Sequence, residues 1–144
     1  MGRIIANEPE LAAVVRAMHT VAVVGIKDGQ RDPLEPAYSI PRMLAESGRT
    51  VIGINPRYPE ALGQPNLASV AELAQTVDVL DVFRRIDALP ELADQLLALP
   101  PETRPRLVWF QSGIRDDAVA ARLVAGGMDV VQDHCLGVYA QRYR

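Results

Sequence analysis

Cysteine is almost absent from this chain of 144 residues, which contains only Cys135. A single cysteine excludes an internal disulfide and any metal site built from several cysteines, and it favours a reducing compartment. No apolar run approaches the roughly 20 residues that span a bilayer. The polar first twenty residues do not resemble a signal peptide. We therefore expect a cytoplasmic protein that does not contact a membrane.

An excess of positive charge is also absent. Lysine and arginine number 15 against 18 aspartate and glutamate residues, which gives a net charge of −3. This balance argues against a nucleic-acid partner, because binding to a phosphate backbone draws on a dense basic face. A small anionic ligand is still compatible with the composition, since a few arginines suffice to bind it.

Aromatic residues make up only 5% of the chain, whereas 49% of it is apolar, so we expect an aliphatic core. The length fits one domain of common size. We predict a single domain over residues 1–144, with an amino-terminal helix within residues 1–19 and a core over residues 20–137.

Short apolar segments alternate with amphipathic ones along the chain. The amphipathic segments predict helices capped by Asn7, Ser39, Ser69 and Asp116 or Asp117, with another over residues 88–99. The apolar segments predict strands at residues 21–24, 51–54, 77–83, 107–110 and 130–131. This alternation indicates an α/β fold, a single doubly wound domain with helices on both faces of a five-stranded parallel sheet. The predicted strand order is 3-2-1-4-5.

In an open sheet of this kind, a ligand lies outside the carboxyl ends of the strands. These ends are unusually rich in glycine, arginine and amide side chains. The segments are Gly25-Ile26-Lys27, Asn55-Pro56-Arg57, Phe83-Arg84-Arg85, Gln111-Ser112-Gly113 and Asp133-His134-Cys135.

The Gly-x-Gly-x-x-Gly pattern of a dinucleotide site is missing after the first strand, and an amide, Asn55, ends the second strand where an acid would bind a ribose. This favours a ligand with an additional phosphate, near Arg57, over NAD. Gly25 would let a phosphate approach the backbone, and N–H groups near Ser39 would complete the anion site. The alternative is that Gly25 and Asn55-Pro56 only form turns and that Ser39 is an ordinary helix cap.

Two adjacent guanidinium groups, those of Arg84 and Arg85, follow the third strand. Arginine binds phosphate oxygens in bidentate fashion and stacks on flat rings, so this pair suits an adenine nucleotide. The alternative is that they form salt bridges with Asp81 or Asp87. At the end of the fourth strand, Gln111 and Gly113 offer an amide and an unhindered backbone to a ligand.

Cys135 is the residue at the strand ends with nucleophilic potential, and His134 is its neighbour. Adjacent residues of an extended segment point to opposite sides, which argues against a catalytic pair. The alternative is a thiol that lines a pocket or packs near the carboxyl terminus. Two well-separated histidines and one cysteine do not make a metal site.

Five ordered motifs lie between about residue 20 and residue 137. They are Val-Ala-Val-Val-Gly, Ile-Asn-Pro-Arg-Tyr, Asp-Val-Phe-Arg-Arg, Val-Trp-Phe-Gln-Ser-Gly and Val-Val-Gln-Asp-His-Cys. Together they resemble the small stand-alone CoA-binding proteins, whose Rossmann-like domain is related to the CoA-binding domain of succinyl-CoA synthetase alpha subunits. The family's usual Asp-Arg-Cys corresponds to Asp133-His134-Cys135, and the loop at residues 27–38 is longer than its counterpart in relatives.

The resemblance implies that the ligand is coenzyme A or an acyl-CoA. Gly25, Ile26, Lys27 and Ser39 would then lie near the pyrophosphate, and Asn55, Pro56 and Arg57 near the ribose phosphate. Val82, Phe83, Arg84 and Arg85 would lie near the adenosine, Gln111, Ser112 and Gly113 near the pantetheine arm, and Cys135 beside the ligand.

The resemblance does not extend to the phosphohistidine domain and partner subunit on which succinyl-CoA synthetase depends. We therefore expect binding without catalysis, with a partner enzyme or a homo-oligomer as possible assemblies. One variant of this hypothesis is a mixed disulfide between Cys135 and the CoA thiol. The alternatives are a small NAD(P)- or nucleotide-dependent enzyme on the same sheet and a ligand-free interaction protein.

Overall fold

Five short parallel strands form the central sheet, as their β-branched and apolar sequences predict. The computed structural model describes all residues, 1–144. The strands of the sheet are β1 (Thr20–Val24), β2 (Thr50–Ile54), β5 (Val79–Val82), β6 (Leu107–Phe110) and β7 (Asp129–Val131), and β3 (Glu60–Ala61) and β4 (Gln64–Pro65) form a separate antiparallel hairpin.

Five helices cover the sheet, and none of them is long and apolar enough to cross a bilayer. The predicted caps of α1 and α4 are confirmed. The Asn7 side chain accepts a hydrogen bond from the Glu10 N–H at 2.9 Å, and that of Asp116 accepts one from the Val119 N–H at 3.0 Å. The helices are α1 (Glu8–Ala17), α2 (Pro36–Glu46), α3 (Leu89–Ala98), α4 (Asp117–Ala125) and α5 (Leu136–Arg142).

The predicted start of α2 is wrong. The helix begins at Pro36, three residues before Ser39, and the Ser39 N–H donates to the carbonyl of Glu35 within the first turn. Proline is favoured at the first helical position because its fixed φ suits a helix and its missing N–H would be unpaired there. The short helix predicted after Ser69 is a single 3-10 turn, Val70–Glu72, and its predicted cap is confirmed, since the Ser69 hydroxyl accepts from the Ala71 N–H at 3.2 Å.

Apolar residues fill both faces of the sheet. One face packs against α3 and α4, through Leu80, Val108 and Phe110 of the strands. The other packs against α1, α2 and α5, through Val23 and Trp109. A sheet that is covered on both sides explains why the strands are continuously apolar rather than alternating.

The predicted fold class is confirmed, but the predicted strand order is wrong. The sheet has the order β2-β1-β5-β6-β7, so the third parallel strand lies next to the first rather than next to the second. The outer edge of β2 is occupied by Leu67, whose N–H donates to Gly53 and whose carbonyl accepts from Asn55, both at 2.9 Å. Because that edge is taken, β5 pairs with the free side of β1.

This order places the point of reversal between β1 and β5. Gly25 follows β1 with a φ of +89°, in the left-handed region, and a Cβ at this position would overlap the carbonyl oxygen of Phe83 at the end of β5. Glycine is therefore required for the two strand ends to come this close.

Candidate functional site

A cleft of about 470 Å³ opens at the carboxyl ends of β1, β5 and β6. It lies at the point where strand order reverses, which is where ligands bind in open α/β sheets. Its walls come from three strand ends, from the first turn of α2 and from the segment before α5. The lining residues are Gly25, Lys27, Glu35, Pro36, Ala37, Ile40, Phe83, Arg84, Arg85, Gln111, Ser112, Ile114 and Cys135.

A slightly larger cavity of about 590 Å³ lies at the opposite, amino-terminal edge of the sheet, where α1 and α2 end. Arg49 lines it and donates to the carbonyls of Met18 and Val15 at 3.2 and 2.9 Å. Helix carboxyl ends carry partial negative charge that this guanidinium satisfies. We therefore assign the functional site to the cleft at the carboxyl edge.

Gly25 combines the two roles considered from the sequence. It forms the tight turn at the reversal point, and it also lines the cleft. Its N–H donates to the Ile54 carbonyl at 2.9 Å, so that donor is already used within the sheet. What Gly25 contributes to the cleft is close backbone approach rather than a free N–H.

Three cationic side chains line the cleft, and they differ in how far they are already neutralised. Lys27 forms an ion pair with Glu35, which also lines the cleft. Arg85 pairs with Asp87 at 2.8 Å, which is one of the salt bridges considered from the sequence. Arg84 forms no ion pair and is exposed. Arg84 is therefore the cation most available to an anionic ligand.

The predicted residues after β2 lie beside the cleft rather than in it. The Asn55 amide donates to the Ile26 carbonyl and accepts from the Arg57 N–H, both at 2.9 Å, and so holds the ends of β1 and β2 together. Pro56 lines a smaller cavity of about 220 Å³, whose wall also includes Arg84. Arg57 is exposed and lines neither space.

Three other predicted residues do not line the cleft. Ile26 and Val82 are buried in the apolar layers on opposite faces of the sheet, with 1% and 0% of their surface exposed. Ser39 is half-buried in α2, with its hydroxyl 3.4 Å from the Leu34 carbonyl. A ligand contact by any of the three stays a prediction.

The strand ends of β6 and β7 hold Cys135 at the cleft. Trp109 donates to the His134 carbonyl at 2.8 Å, and the side-chain oxygen of Gln111 accepts from the Leu136 N–H at 2.9 Å. The residues before and after Cys135 are thus fixed by two side chains from the neighbouring strand.

The other residues of these two strand ends are divided between the cleft and its surroundings. Ser112 lines the cleft, whereas Gly113 lies in a shallower depression next to Arg84. The Gly113 N–H donates to Asp133 at 2.6 Å, which joins the ends of β6 and β7. His134 does not line the cleft, and its ring packs edge-on against Tyr139.

The family can now be assigned from the sequence. The sequence model of the family described as CoA binding domain matches residues 19–141. The chain belongs to the CoA-binding domain family. The family expected from the five motifs is thereby confirmed.

Two proteins match this CoA-binding domain over nearly their whole length, one in sequence and one also in structure. The uncharacterized protein YneT of Bacillus subtilis (strain 168) is 28% identical over 132 residues, which are 92% of this chain and 93% of YneT. A solved structure of cell-free ID.343 from Thermus thermophilus is 40% identical, with a TM-score of 0.85, and the match covers 96% of this chain and 100% of that one.

A larger protein contains a similar fold as one part. The acetyl-coenzyme A synthetase 1 of Ca. Korarchaeum cryptofilum is 21% identical with a TM-score of 0.64. The match covers 78% of this chain but only 25% of the synthetase.

Sequence reasoning missed the wall of the cleft that α2 supplies in this CoA-binding domain. Glu35, Pro36 and Ala37 line it at the start of the helix, with Ile40 one turn later. The length of the loop at residues 27–38 was the available signal, since long loops after a strand tend to be functional. Gly137 makes room for this wall, because a Cβ there would lie 2.8 Å from Ile40 Cγ1.

Two buried side chains near the cleft have polar atoms without hydrogen-bond partners, one in β5 and one directly after β6. Asp81 of β5 is fully buried and is paired in register with Trp109, and neither of its carboxyl oxygens has a partner. Burial raises the pKa of this carboxyl well above its usual range, and the nearby Val82 N–H opposes the shift only in part. The second group is the side-chain nitrogen of Gln111, which itself lines the cleft.

Proposed function

We propose that the protein binds coenzyme A or an acyl-CoA in the cleft and catalyses no reaction by itself. The observation that carries the proposal is the set of three cations, Lys27, Arg84 and Arg85, around a cleft at the reversal point of the sheet. Membership of the CoA-binding domain family supports the choice of ligand.

CoA is an adenine nucleotide with a pyrophosphate and an additional ribose phosphate, so it carries several negative charges along one half of its length. Arg84 lies between the cleft and the smaller cavity at Pro56, and it lines both. Guanidinium groups bind phosphate oxygens with strong, charge-assisted hydrogen bonds. In our proposal Arg84 binds a phosphate at this boundary, with the pantetheine arm directed along the cleft towards Gln111 and Cys135.

A binding role rather than catalysis is supported by the way the acidic and basic side chains of the cleft are already engaged. The ionisable side chains that line it are Lys27, Glu35, Arg84, Arg85 and Cys135. Lys27 and Glu35 are paired with each other, and His134 is turned towards Tyr139. A partner enzyme that takes up the bound CoA, or a second copy of the chain, stays a prediction.

Replacing Arg84 tests the proposed site. We expect Arg84→Ala to weaken CoA binding by roughly 10- to 100-fold, since a hydrogen bond to a charged group is worth about 1.5–3 kcal/mol. Calorimetric titration of CoA into the wild type and the variant measures the change. Dephospho-CoA, which lacks the ribose phosphate, shows in the same experiment whether Arg84 binds that group or the pyrophosphate.

Arg106→Ala is the matched control. Arg106 is exposed at the amino end of β6, and its nearest carboxylate is that of Asp78 at 3.7 Å. Its replacement removes the same charge from the opposite edge of the sheet, so CoA affinity should stay within about twofold of the wild type. Equal losses in both variants, or no loss in Arg84→Ala, would contradict the proposed site.

A further inference from the structure

The thiol of Cys135 is held in the cleft rather than left on a free loop. The side chains of Trp109 and Gln111 fix the backbone on both sides of it, at His134 and Leu136. Cys135 is half-buried, is the only cysteine of the chain and lines the same cleft as Arg84 and Arg85. A thiol fixed in the same cleft as these cations is accessible to a thiol-bearing anionic ligand bound there.

A second observation at the same place points to a ligand. Gln111 lines the cleft with 5% of its surface exposed, and its side-chain nitrogen has no hydrogen-bond partner. A buried donor without a partner costs about 1–3 kcal/mol, so a ligand that supplies an acceptor there gains affinity. The pantetheine arm of CoA ends in an amide and then a thiol. An amide carbonyl bound to Gln111 would bring the CoA sulfur towards Cys135.

We propose that Cys135 undergoes thiol–disulfide exchange with CoA disulfide, so that the protein stores CoA covalently when CoA is oxidised. The Cys135 thiolate attacks one sulfur of CoA–S–S–CoA, and a Cys135–S–S–CoA bond forms as the original S–S bond breaks. The second CoA leaves as a thiolate and takes up the proton lost by Cys135. No other oxidant is needed, and excess CoA thiol reverses the step. The inference rests on the proposed CoA site.

Selectivity for the nucleotide distinguishes this exchange from the reaction of any accessible thiol. Pantethine, the disulfide of pantetheine, has the same reactive end as CoA disulfide but lacks the adenosine and all of the phosphates. Arg84 and Arg85 would bind only the nucleotide-bearing disulfide, and this binding raises its effective concentration at Cys135. CoA disulfide should therefore react at least roughly tenfold faster than pantethine at equal concentration.

The test is intact-protein mass spectrometry of the reduced wild-type chain during anaerobic incubation with CoA disulfide or with pantethine. We expect a mass increase of one CoA less two hydrogen atoms, reversal of the adduct by excess CoA thiol, and the stated preference for CoA disulfide. Cys135→Ser should form no adduct with either disulfide. Arg84→Ala should form the adduct at a rate close to that with pantethine.

The possible failures are distinguishable. If calorimetry detects no CoA binding by the reduced wild type, the proposed function itself is wrong. If the reduced wild type binds CoA but forms no adduct, or reacts equally fast with both disulfides, only the exchange proposal is overturned. A gain of an acyl group during incubation with acetyl-CoA, with no adduct from CoA disulfide, also overturns it, because it would assign acyl transfer to Cys135.

Discussion

Asp81 is the one acidic side chain that is buried in the core, and no partner offsets its burial. A charged carboxylate in such a place is unfavourable, so the group takes up a proton instead. Its pKa in the folded protein is therefore well above the ordinary value of 3.8, and the folded state holds a proton that the unfolded state releases.

The pH dependence of stability should reveal this proton. The pKa of Asp81 is raised on folding, so its contribution to the free energy of unfolding is fully present below about pH 4. That contribution is lost as pH rises towards the folded-state pKa, by up to about 1.4 kcal/mol per pH unit. Asp81→Asn removes the titration. We expect the free energy of unfolding of Asp81→Asn, measured with urea, to increase relative to that of the wild type as pH rises from about 5 to about 7.

Asp78 supplies a control of opposite sign. Partial burial raises the pKa of this carboxyl, but the N–H groups of His19 and Thr20, the Thr20 hydroxyl and Arg106 together lower it more. Its contribution is present above the unfolded-state pKa and is lost as pH falls. Asp78→Asn should therefore destabilise the protein at neutral pH and approach the wild type in acid. The same pH trend in both variants would contradict our account of Asp81.

Among individual residues, the sequence predicted those site residues that directly follow a strand, because ligands bind at the carboxyl ends of strands in an open α/β sheet. Gly25, Arg84 and Cys135 line the cleft as such positions should. Glu35 and Ile40 could not be found in this way, because their place depends on how α2 packs against the sheet. Ser39 was misplaced because the true start of α2 is set by Pro36, three residues earlier.

The edge of β2 is the element that determines the strand order. Asn66 and Leu67 run along it, and the Asn66 side chain lies directly over Gly53, where a Cβ would overlap its amide oxygen. The Asn66 amide also donates to the Tyr58 carbonyl at 3.0 Å, which closes the segment that carries the β3–β4 hairpin. Gly53 is therefore needed for close contact rather than for an unusual backbone angle.

Gly53→Ala should displace this edge segment. We expect a loss of about 1–3 kcal/mol in the free energy of unfolding, the usual cost of adding a methyl group where there is no room. Denaturant unfolding measures the loss. In the double variant with Asn66→Ala, the space vacated by the amide should make the combined loss clearly smaller than the sum of the two single losses. Additive losses would show that Asn66 is not what Gly53 accommodates.

Periodicity predicted the strands and most of the helices, because each is a local pattern of apolar residues. It did not predict the order of the strands. That order depends on Leu67 pairing with Ile54, a contact thirteen residues apart in a segment with no regular pattern of its own. The error also affects the site, since only the observed order brings the end of β5, with Arg84 and Arg85, next to Gly25.

Considered as a whole, the molecule has a net charge of −3, yet three cations lie around one cleft. Two of them are already paired with acidic side chains, which leaves Arg84 as the unpaired cation of the cleft. This local excess of positive charge in a slightly acidic protein suits a small polyanion as ligand. It does not suit a nucleic acid, which needs a more extensive basic face.

Binding of the ligand should also raise the stability of the whole molecule. A ligand that binds only the folded state raises the free energy of unfolding by RT ln(1 + [L]/Kd), about 2.7 kcal/mol at a hundredfold excess over Kd. Saturating CoA should therefore raise the unfolding temperature of the wild type by several degrees, since about 1 kcal/mol shifts Tm by roughly 2–8 °C in domains of this size range. The rise should be much smaller in Arg84→Ala at the same CoA concentration.

A competitive calorimetric titration of the reduced wild-type protein with CoA and NADP tests the central claim most directly. Both ligands carry adenine, a pyrophosphate and an additional ribose phosphate. They differ in the ribose hydroxyl that carries this phosphate, and CoA has a pantetheine arm where NADP has its nicotinamide half. We predict one CoA bound per chain, with a Kd at least roughly tenfold below that for NADP. Tight binding of NADP without binding of CoA would contradict the account.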